Sequence, residues 1–418
     1  MSFQQGLSGL DAASSALDVI GNNVANASTV GFKSATADFS DIFAASLGVV
    51  GASQIGIGVG VSAIEQQFTQ GNLTTTNNAM DLAINGGGFF RMSANGSVSY
   101  TRNGQFHVDK EGYIVNDNKH RLTGYPATTS GQISASNPVE LQLSASEIAP
   151  RATSDPLSGE LSAVMNLDSR DAPPQLTPFD FANPGTYNFS TAVTVFDTLG
   201  VAHNLTTYYV LNPPATPPSG GQWTVWATLD GANPQQVPGG NLIFDSSGAL
   251  TAASATHTLP SWNLSSGAAT PWSPGTINFT GTTQYGSESS VDRLTQGGYT
   301  SGSLVGIAVG SDGVVQGRYS NGQTRNLGQV VLASFADPNG LLNLGNNEWA
   351  LTSLSGPELV GAPATGSRGV LQSAAVEDSN VDLTKQLVDM ITAQRNYQAN
   401  AQTIKTQDQI MQTLVNLR

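Results

Sequence analysis

NVDLTKQLVDMITAQRNYQANAQTIKTQDQIMQTLVNLR, residues Asn380–Arg418, is the stretch on which the fold turns. Leu383, Leu387, Met390, Gln394, Tyr397, Ala401, Ile404, Asp408, Met411 and Val415 follow one another at alternating steps of four and three. That spacing keeps one side of a helix apolar along a coiled-coil seam. Only Gln394 and Asp408 interrupt it, and Ile391, Ile410, Leu414 and Leu417 lie beside it and widen it. At about 1.5 Å per residue the helix runs about 50 Å, long for a globular domain, and its Gln, Asn and Thr content is too polar for a membrane span.

The opposite end of the chain repeats the pattern. Phe3, Leu7, Leu10, Ser14, Leu17, Gly21 and Val24 share the four-three spacing, with Ala13, Ala16 and Ile20 alongside. Two amphipathic helices at the two termini are therefore expected to pair as a coiled coil. A pair this small has few seam side chains to set against the entropy of ordering it. The expectation is that both ends are frayed in an isolated chain and become helical when copies pack side by side. The alternative is a two-helix stalk that is stable within one chain.

Between the ends the composition changes. Hydrophobic residues make up 39% of 418, enough for two or three cored domains, while 46 glycines and 20 prolines favour short strands and turns over helices. Sixteen basic residues against thirty acidic ones leave a net charge of −14, which opposes a phosphate backbone or an anionic lipid surface. No nucleic-acid partner and no membrane insertion are expected. No Lys or Arg occurs between Arg170 and Arg293, so that segment reads as a mutually repelling, outward-facing domain. There is no cysteine, which excludes disulfides, thiolate metal sites and cysteine nucleophiles. The first basic residue is Lys33 and the opening helix is amphipathic, so a cleaved secretory signal is not expected.

Read in order, Asn22, Asn23 and Asn26 stand where the first helix ends, with Gly31 available for a positive φ just before Phe32. Residues 33–75 and 357–375 read as an irregular connector; the run Gly56-Ile57-Gly58-Val59-Gly60 lacks the third glycine of a dinucleotide fingerprint. Residues 76–150 and 293–356 read as an inner β domain, with hairpin turns at Asn103-Gly104, Asp109-Lys110-Glu111-Gly112 and Ser320-Asn321-Gly322. The second turn resembles the start of a calcium loop but lacks the remaining ligands. Residues 151–292 read as an outer β-sandwich or barrel whose core holds Trp223, Trp226, Trp262 and Trp272, with a turn-rich break at Pro213–Gly221. The fold class is thus a multidomain chain: terminal helices, residues 1–32 and 376–418, enclosing two nested all-β domains.

Nothing in this pattern points to catalysis. His107, His120, His203 and His257 are scattered and read as surface or strand-end residues, and there is no HExxH, Walker loop or GxSxG. No catalytic residue, metal or cofactor is expected.

Three long blocks carry a resemblance. LDVIGNNVANASTVGFKS (Leu17–Ser34), LAINGGGFF with YTRNGQFHVDKEGYIVN, and EDSNVDLTKQLVDMITAQRNYQANAQTIKTQDQIM (Glu377–Met411) resemble the axial proteins of the bacterial flagellum, the rod and hook family. VTVFDTLGVAHNLTTYYV (Val193–Val210) and RYSNGQTRNLGQVVLASFADPNGLLNLGNNEWALT (Arg318–Thr352) resemble its hook branch, whose members carry a large outer insert.

The resemblance implies a structural subunit, not an enzyme. It implies export through the flagellar type III apparatus, with Phe3 and Leu7 within the recognised start, and self-polymerisation under a cap into an extracellular helical tube. The terminal helices would line that tube, held by Leu7, Leu10, Leu17, Leu387, Ile391, Tyr397 and Ile404, with Asn22, Asn23, Asn26, Gly31 and Phe32 forming the family motif. Further implied partners are the hook cap, distal rod, hook–filament junction and export apparatus proteins, and the implied mechanical role is a flexible universal joint that bends at the irregular connector. Two other readings stay open: a distal rod or other axial protein of straight shape, and a secreted carbohydrate-binding β protein that uses exposed tryptophans.

Overall fold

The computed structural model describes residues 2–42, 56, 58–94, 96–143, 147–158, 161–213 and 221–416. The side chains of Leu414 and Val415, all of Leu417, Ile57, and most of the Pro213–Gly221 break lie outside the described residues. The chain divides into two compact units: Met1–Ala145 with Gly306–Arg318 and Thr324–Arg418, and Ser146–Val305 with Tyr319–Gln323.

The first unit holds both long helices, α1 (Ser2–Ala25) and α2 (Leu383–Asn416). Asp382 starts α2 as its cap, its Oδ1 accepting from the backbone N–H of Thr384 (2.9 Å) and Lys385 (3.1 Å). The end of α1 is closed by Asn26, whose Nδ2 donates back to the carbonyl oxygen (2.9 Å) and Oδ1 (3.0 Å) of Asn22. In the described structure both helices are formed and lie against each other within one chain.

The described parts of residues 33–75 are not irregular. Strands β1 (Ala35–Ile42) and β2 (Gly58–Gln66) pair antiparallel from Ala35↔Gln66 to Ile42↔Gly58, with a bulge between Asp38 and Phe39. Glycine at alternate positions of β2 hides the strand period, because a residue with no side chain shows neither face. The second connector is likewise paired: Val370–Ser373 lies against Leu82–Asn85, and Ala375–Glu377 against Leu73–Thr75. The ribbon touches α1 through Gln5 Nε2, which donates to the Gly56 carbonyl (2.6 Å), and through Ser8 Oγ, which accepts from the Val59 N–H (3.3 Å).

The β core of this unit is a sheet in which Thr324–Val330, Arg121–Pro126, Phe89–Ala94, Ser97–Thr101, Glu348–Ala350 and Leu342–Gly345 are successive neighbours. Segments far apart in sequence pair side by side, as in Phe90↔Leu332 and Trp349↔Tyr100. One face buries Leu82, Ile84, Phe90, Met92, Leu122 and Val330. Phe89, Tyr100 and Trp349 form a second cluster, edge-on to Phe68 and Phe335.

The second unit is a sandwich of two four-stranded sheets. Phe189–Phe196, Ala202–Asn212, Gln222–Leu229 and Ala232–Ile243 form an antiparallel meander. Thr256–Thr258, Thr276–Asn278, Leu161–Asn166 and Ser290–Thr295 form the other, with one parallel pair. Ala163 and Met165 from one sheet meet Leu205, Tyr209, Trp223 and Val225 from the other in a single core. Two expectations are corrected here. The unit runs past residue 292, because Ser162 pairs with Thr295 and isolated bridges join Arg151 to Tyr299 and Ile148 to Gly302. Trp226 is not in the core: Trp223, Val225 and Ala227 point inward, so Trp226 points outward and stacks on Phe179 at 4.7 Å.

This unit also fixes how it responds to acid. Asp197 is fully buried, and its carboxylate accepts from Ser266 Oγ (2.7 Å) and the N–H groups of Leu199 (2.9 Å) and Val201 (2.9 Å), with His203 Nε2 at 3.4 Å. Burial works to raise its pKa, but these hydrogen bonds outweigh burial and hold it below the ordinary value of 3.8. The folded state thus binds the proton less readily than the unfolded one. Its stabilising contribution is complete above the ordinary carboxylate range and is lost as pH falls through the depressed value. Tryptophan emission during denaturant unfolding should show this unit weakening below about pH 4, with the slope flattened in Asp197→Asn. An unchanged slope in that variant would assign the acid response elsewhere.

Candidate functional site

The terminal helices run antiparallel and meet through small and amide residues. A Cβ on Gly6 would lie 3.1 Å from Ile404 Cγ1, and one on Gly9 would lie 2.7 Å from Asn400 Nδ2, so glycine permits the close approach. Further along, Asn23 Nδ2 donates to Gln386 Oε1 (3.2 Å). Ala13 and Ala393 are buried in this contact region.

The expected seam faces inward only in part. On α2, Gln386, Asp389, Met390, Ala393, Asn400, Ala401, Ile404 and Gln407 are the covered positions, of which Met390, Ala401 and Ile404 belong to the seam, while Leu387 and Ile391 are each 50% exposed and Leu383, Tyr397 and Met411 are exposed as well. On α1, Leu10 and Leu17 are half-buried and Phe3 and Leu7 are exposed. Of the residues expected to hold a tube, Ile404 takes part in the contact within the chain, Leu7, Leu387 and Ile391 point away from it, and Tyr397 is 38% exposed. Gly6, Gly9, Ala13 and Ala393 let the backbones come close, beside the larger Met390 and Ile404.

At the base of the helices lies a buried charge cluster. Lys33 Nζ is 2.6 Å from Glu377 Oε1, and Arg102 Nη1 is 3.1 Å from Glu377 Oε2. Lys33 and Glu377 have no exposed side-chain surface. Lys33 Nζ also donates to the Thr69 carbonyl (2.7 Å), the Gly71 N–H donates to Glu377 Oε1 (2.9 Å), and Arg102 Nη2 donates to the Gly86 carbonyl (2.9 Å). Burial pushes the pKa of both cations down, and Glu377 pulls each part of the way back. One carboxylate therefore balances two cations.

The family-motif residues surround this cluster. Asn23, also buried, clamps Ala35 by accepting its N–H (2.9 Å) and donating to its carbonyl (2.8 Å). Gly31 sits at φ +71°, where a Cβ would fall 2.5 Å from the Asn103 backbone nitrogen, and its N–H donates to the Glu377 carbonyl (2.7 Å). Phe32 closes a turn onto Thr29. Asn380 completes the tie by accepting from the Ser34 N–H (2.8 Å) and donating to the Gln67 carbonyl (2.7 Å). The exit of α1 and the entry of α2 are thus pinned to each other and to the sheet. Sequence reading missed Lys33, Arg102, Glu377 and Asn380 as site residues; the one visible signal was that Lys33 is the first basic residue after thirty-two that carry only Asp11 and Asp18.

The histidines are partly corrected. His107 is exposed and His120 lies on Glu348, but His203 and His257 are buried, the first between Asp197 and Asp230 and the second against the Ser254 carbonyl. Among the described residues no group of three or more His, Asp or Glu is placed to hold a metal ion, and no helix is long and apolar enough to cross a membrane.

Four family models match: "Flagella basal body rod protein" over residues 3–33, "Flagellar hook protein FlgE/F/G D1 domain" over 83–149, "Flagellar basal body protein FlaE D2 domain" over 166–299, and "Flagellar basal body rod FlgEFG protein C-terminal" over 372–417. The chain is 43% identical to the flagellar hook protein FlgE of Escherichia coli (strain K12) and 42% identical to that of Salmonella typhimurium, in each case over 100% of both chains. It is 31% identical to the flagellar hook protein FlgE of Borreliella burgdorferi over 100% of this chain and 99% of the relative. Its fold matches the crystal structure of the Helicobacter pylori flagellar hook protein FlgE2 with a TM-score of 0.50 at 12% identity, over 72% of this chain and 99% of that one. With end-to-end likeness on that scale, the chain belongs to the flagellar hook protein family and is a structural subunit of the bacterial flagellar hook.

Proposed function

We propose that the chain leaves the cell unfolded through the flagellar type III apparatus and polymerises into a helical tube that passes torque from rod to filament as a universal joint. The observation that carries this reading is the outward placement of large apolar residues on α2, with Leu387 and Ile391 half exposed on the side away from the buried Ala393. A lone subunit has no use for such a surface; a polymer does. Leu7, Leu10, Leu17, Leu387, Ile391, Tyr397 and Ile404 then hold the inner tube, the coiled-coil register being completed between copies. Phe3 and Leu7 belong to the recognised start. The hook cap, distal rod, hook–filament junction and export apparatus proteins are the further partners.

Flexibility is placed differently from the sequence expectation. The helices are tied to the sheet by Asn23, Lys33, Glu377 and Asn380, which supports bending by copies sliding against one another. The test is to supply the chain to a motile bacterium lacking its own hook protein. Electron microscopy is expected to show curved hooks and swimming to return; straight rods would favour the distal-rod reading, and no structure at all would overturn assembly.

A further inference from the structure

A groove runs between α1, the β1–β2 ribbon and α2, and nothing among the described residues fills it. Its walls include Ala12, Ala13 and Ala16 of α1, Phe39 and Val59 of the ribbon, and Ala393 of α2, and its volume is about 380 Å³. No ionisable side chain lines it. Removing one large aliphatic side chain from a core leaves a void on the order of 150 Å³, so the groove has room for about two such side chains.

The same chain presents a ridge of that size. Leu387, Val388 and Ile391 stand exposed on successive turns of α2. At about 100° per residue, the middle of this ridge lies about 170° around the helix from Ala393, so α2 cannot place it in its own groove. The ridge and the groove therefore face different directions on one molecule. A contact between unlike patches of identical subunits is head-to-tail and generates an open filament. Charge selects the occupant: copies that each carry −14 repel, and a contact free of ionisable groups adds no buried unpaired charge to that repulsion.

We propose that the groove seats the Leu387–Ile391 ridge of a second copy of this chain. The pairing rests on the hook reading and specifies which two faces of neighbouring subunits meet. It extends the assembly surface to Ala12, Ala16, Phe39 and Val59, none of which lies on the four-three seam.

The chain contains no cysteine, so two introduced thiols have no competitors. Ala16→Cys and Ile391→Cys are each produced alone and then together in a cell that lacks its own hook protein, and the isolated hooks are oxidised. A disulfide needs Cα atoms within about 7 Å. The expected result is a cross-linked dimer in hooks of the mixed population and none in either single population. A second variant, Ala12→Leu, fills the groove without adding charge and is expected to cut the number of hooks per cell at least tenfold. Mixed hooks without the cross-link, or Ala12→Leu hooks in normal number, overturn the pairing while leaving the hook reading standing. If the cysteine chains do not assemble, Ala12→Leu decides alone. Failure of the unsubstituted chain to build hooks overturns the hook reading itself.

Discussion

Glu377→Gln is expected to lower the unfolding free energy of the helix-bearing unit by about 3 to 5 kcal/mol, the cost of breaking a buried ion pair from one side. Glutamine keeps the volume and one acceptor oxygen, so little of the loss comes from packing. What changes is charge: Lys33 and Arg102 remain buried with no anion between them. The Gly71 N–H and the Thr69 carbonyl still have partners of the right kind, which isolates the electrostatic part. Urea unfolding followed by circular dichroism at 222 nm measures the effect. Breaking the half-exposed Arg121–Glu140 pair supplies the comparison, because an ion pair in contact with water contributes only about 0 to 1 kcal/mol. A loss in Glu377→Gln no larger than that of the surface pair would show that the cluster is wetter than its burial indicates. Replacing Lys33 and Glu377 together by methionine and leucine should be less harmful than Glu377→Gln alone, since the double change leaves one buried cation, Arg102, without its anion where Glu377→Gln leaves two.

Ending the chain after Asp382 is expected to abolish polymer altogether. The truncation removes α2 and with it every exposed apolar residue from Leu383 to Met411, but it spares Glu377 and Asn380, so the charge cluster and the tie to Ser34 and Gln67 persist. The two β cores do not draw on α2: their buried residues lie between Met80 and Leu371. Sedimentation should therefore find only single subunits at concentrations where the whole chain pellets, while tryptophan emission and its urea midpoint stay close to those of the whole chain. Sedimenting polymer from the truncated chain would move the assembly surface from the helices to the β units.

Much of this architecture could be read from residues in order. Both helices announce themselves by period, and the Trp-rich sandwich by alternation and turn chemistry. The seam was read by the largest apolar side chains, whereas the contact inside one chain draws on Gly6, Gly9, Ala13 and Ala393, which let the helix axes approach. The covered positions Gly6, Gly9, Ala13, Ala16, Ile20 and Asn23 keep the same alternation of three and four, one step around the helix from the expected seam. In the sandwich, four tryptophans in one segment suggest one core, but strict alternation sends Trp226 to the face opposite Trp223. The charge cluster had no local signature at all. Lys33 and Glu377 are 344 positions apart, and no window of sequence contains both.

That separation has a consequence in time. Two cations that must share one anion cannot be settled until the anion is present, and Glu377 comes from the last tenth of the chain. Lys33 and Glu377 are the width of almost the whole polypeptide apart. The base of the stalk is therefore among the last features to set as the chain folds.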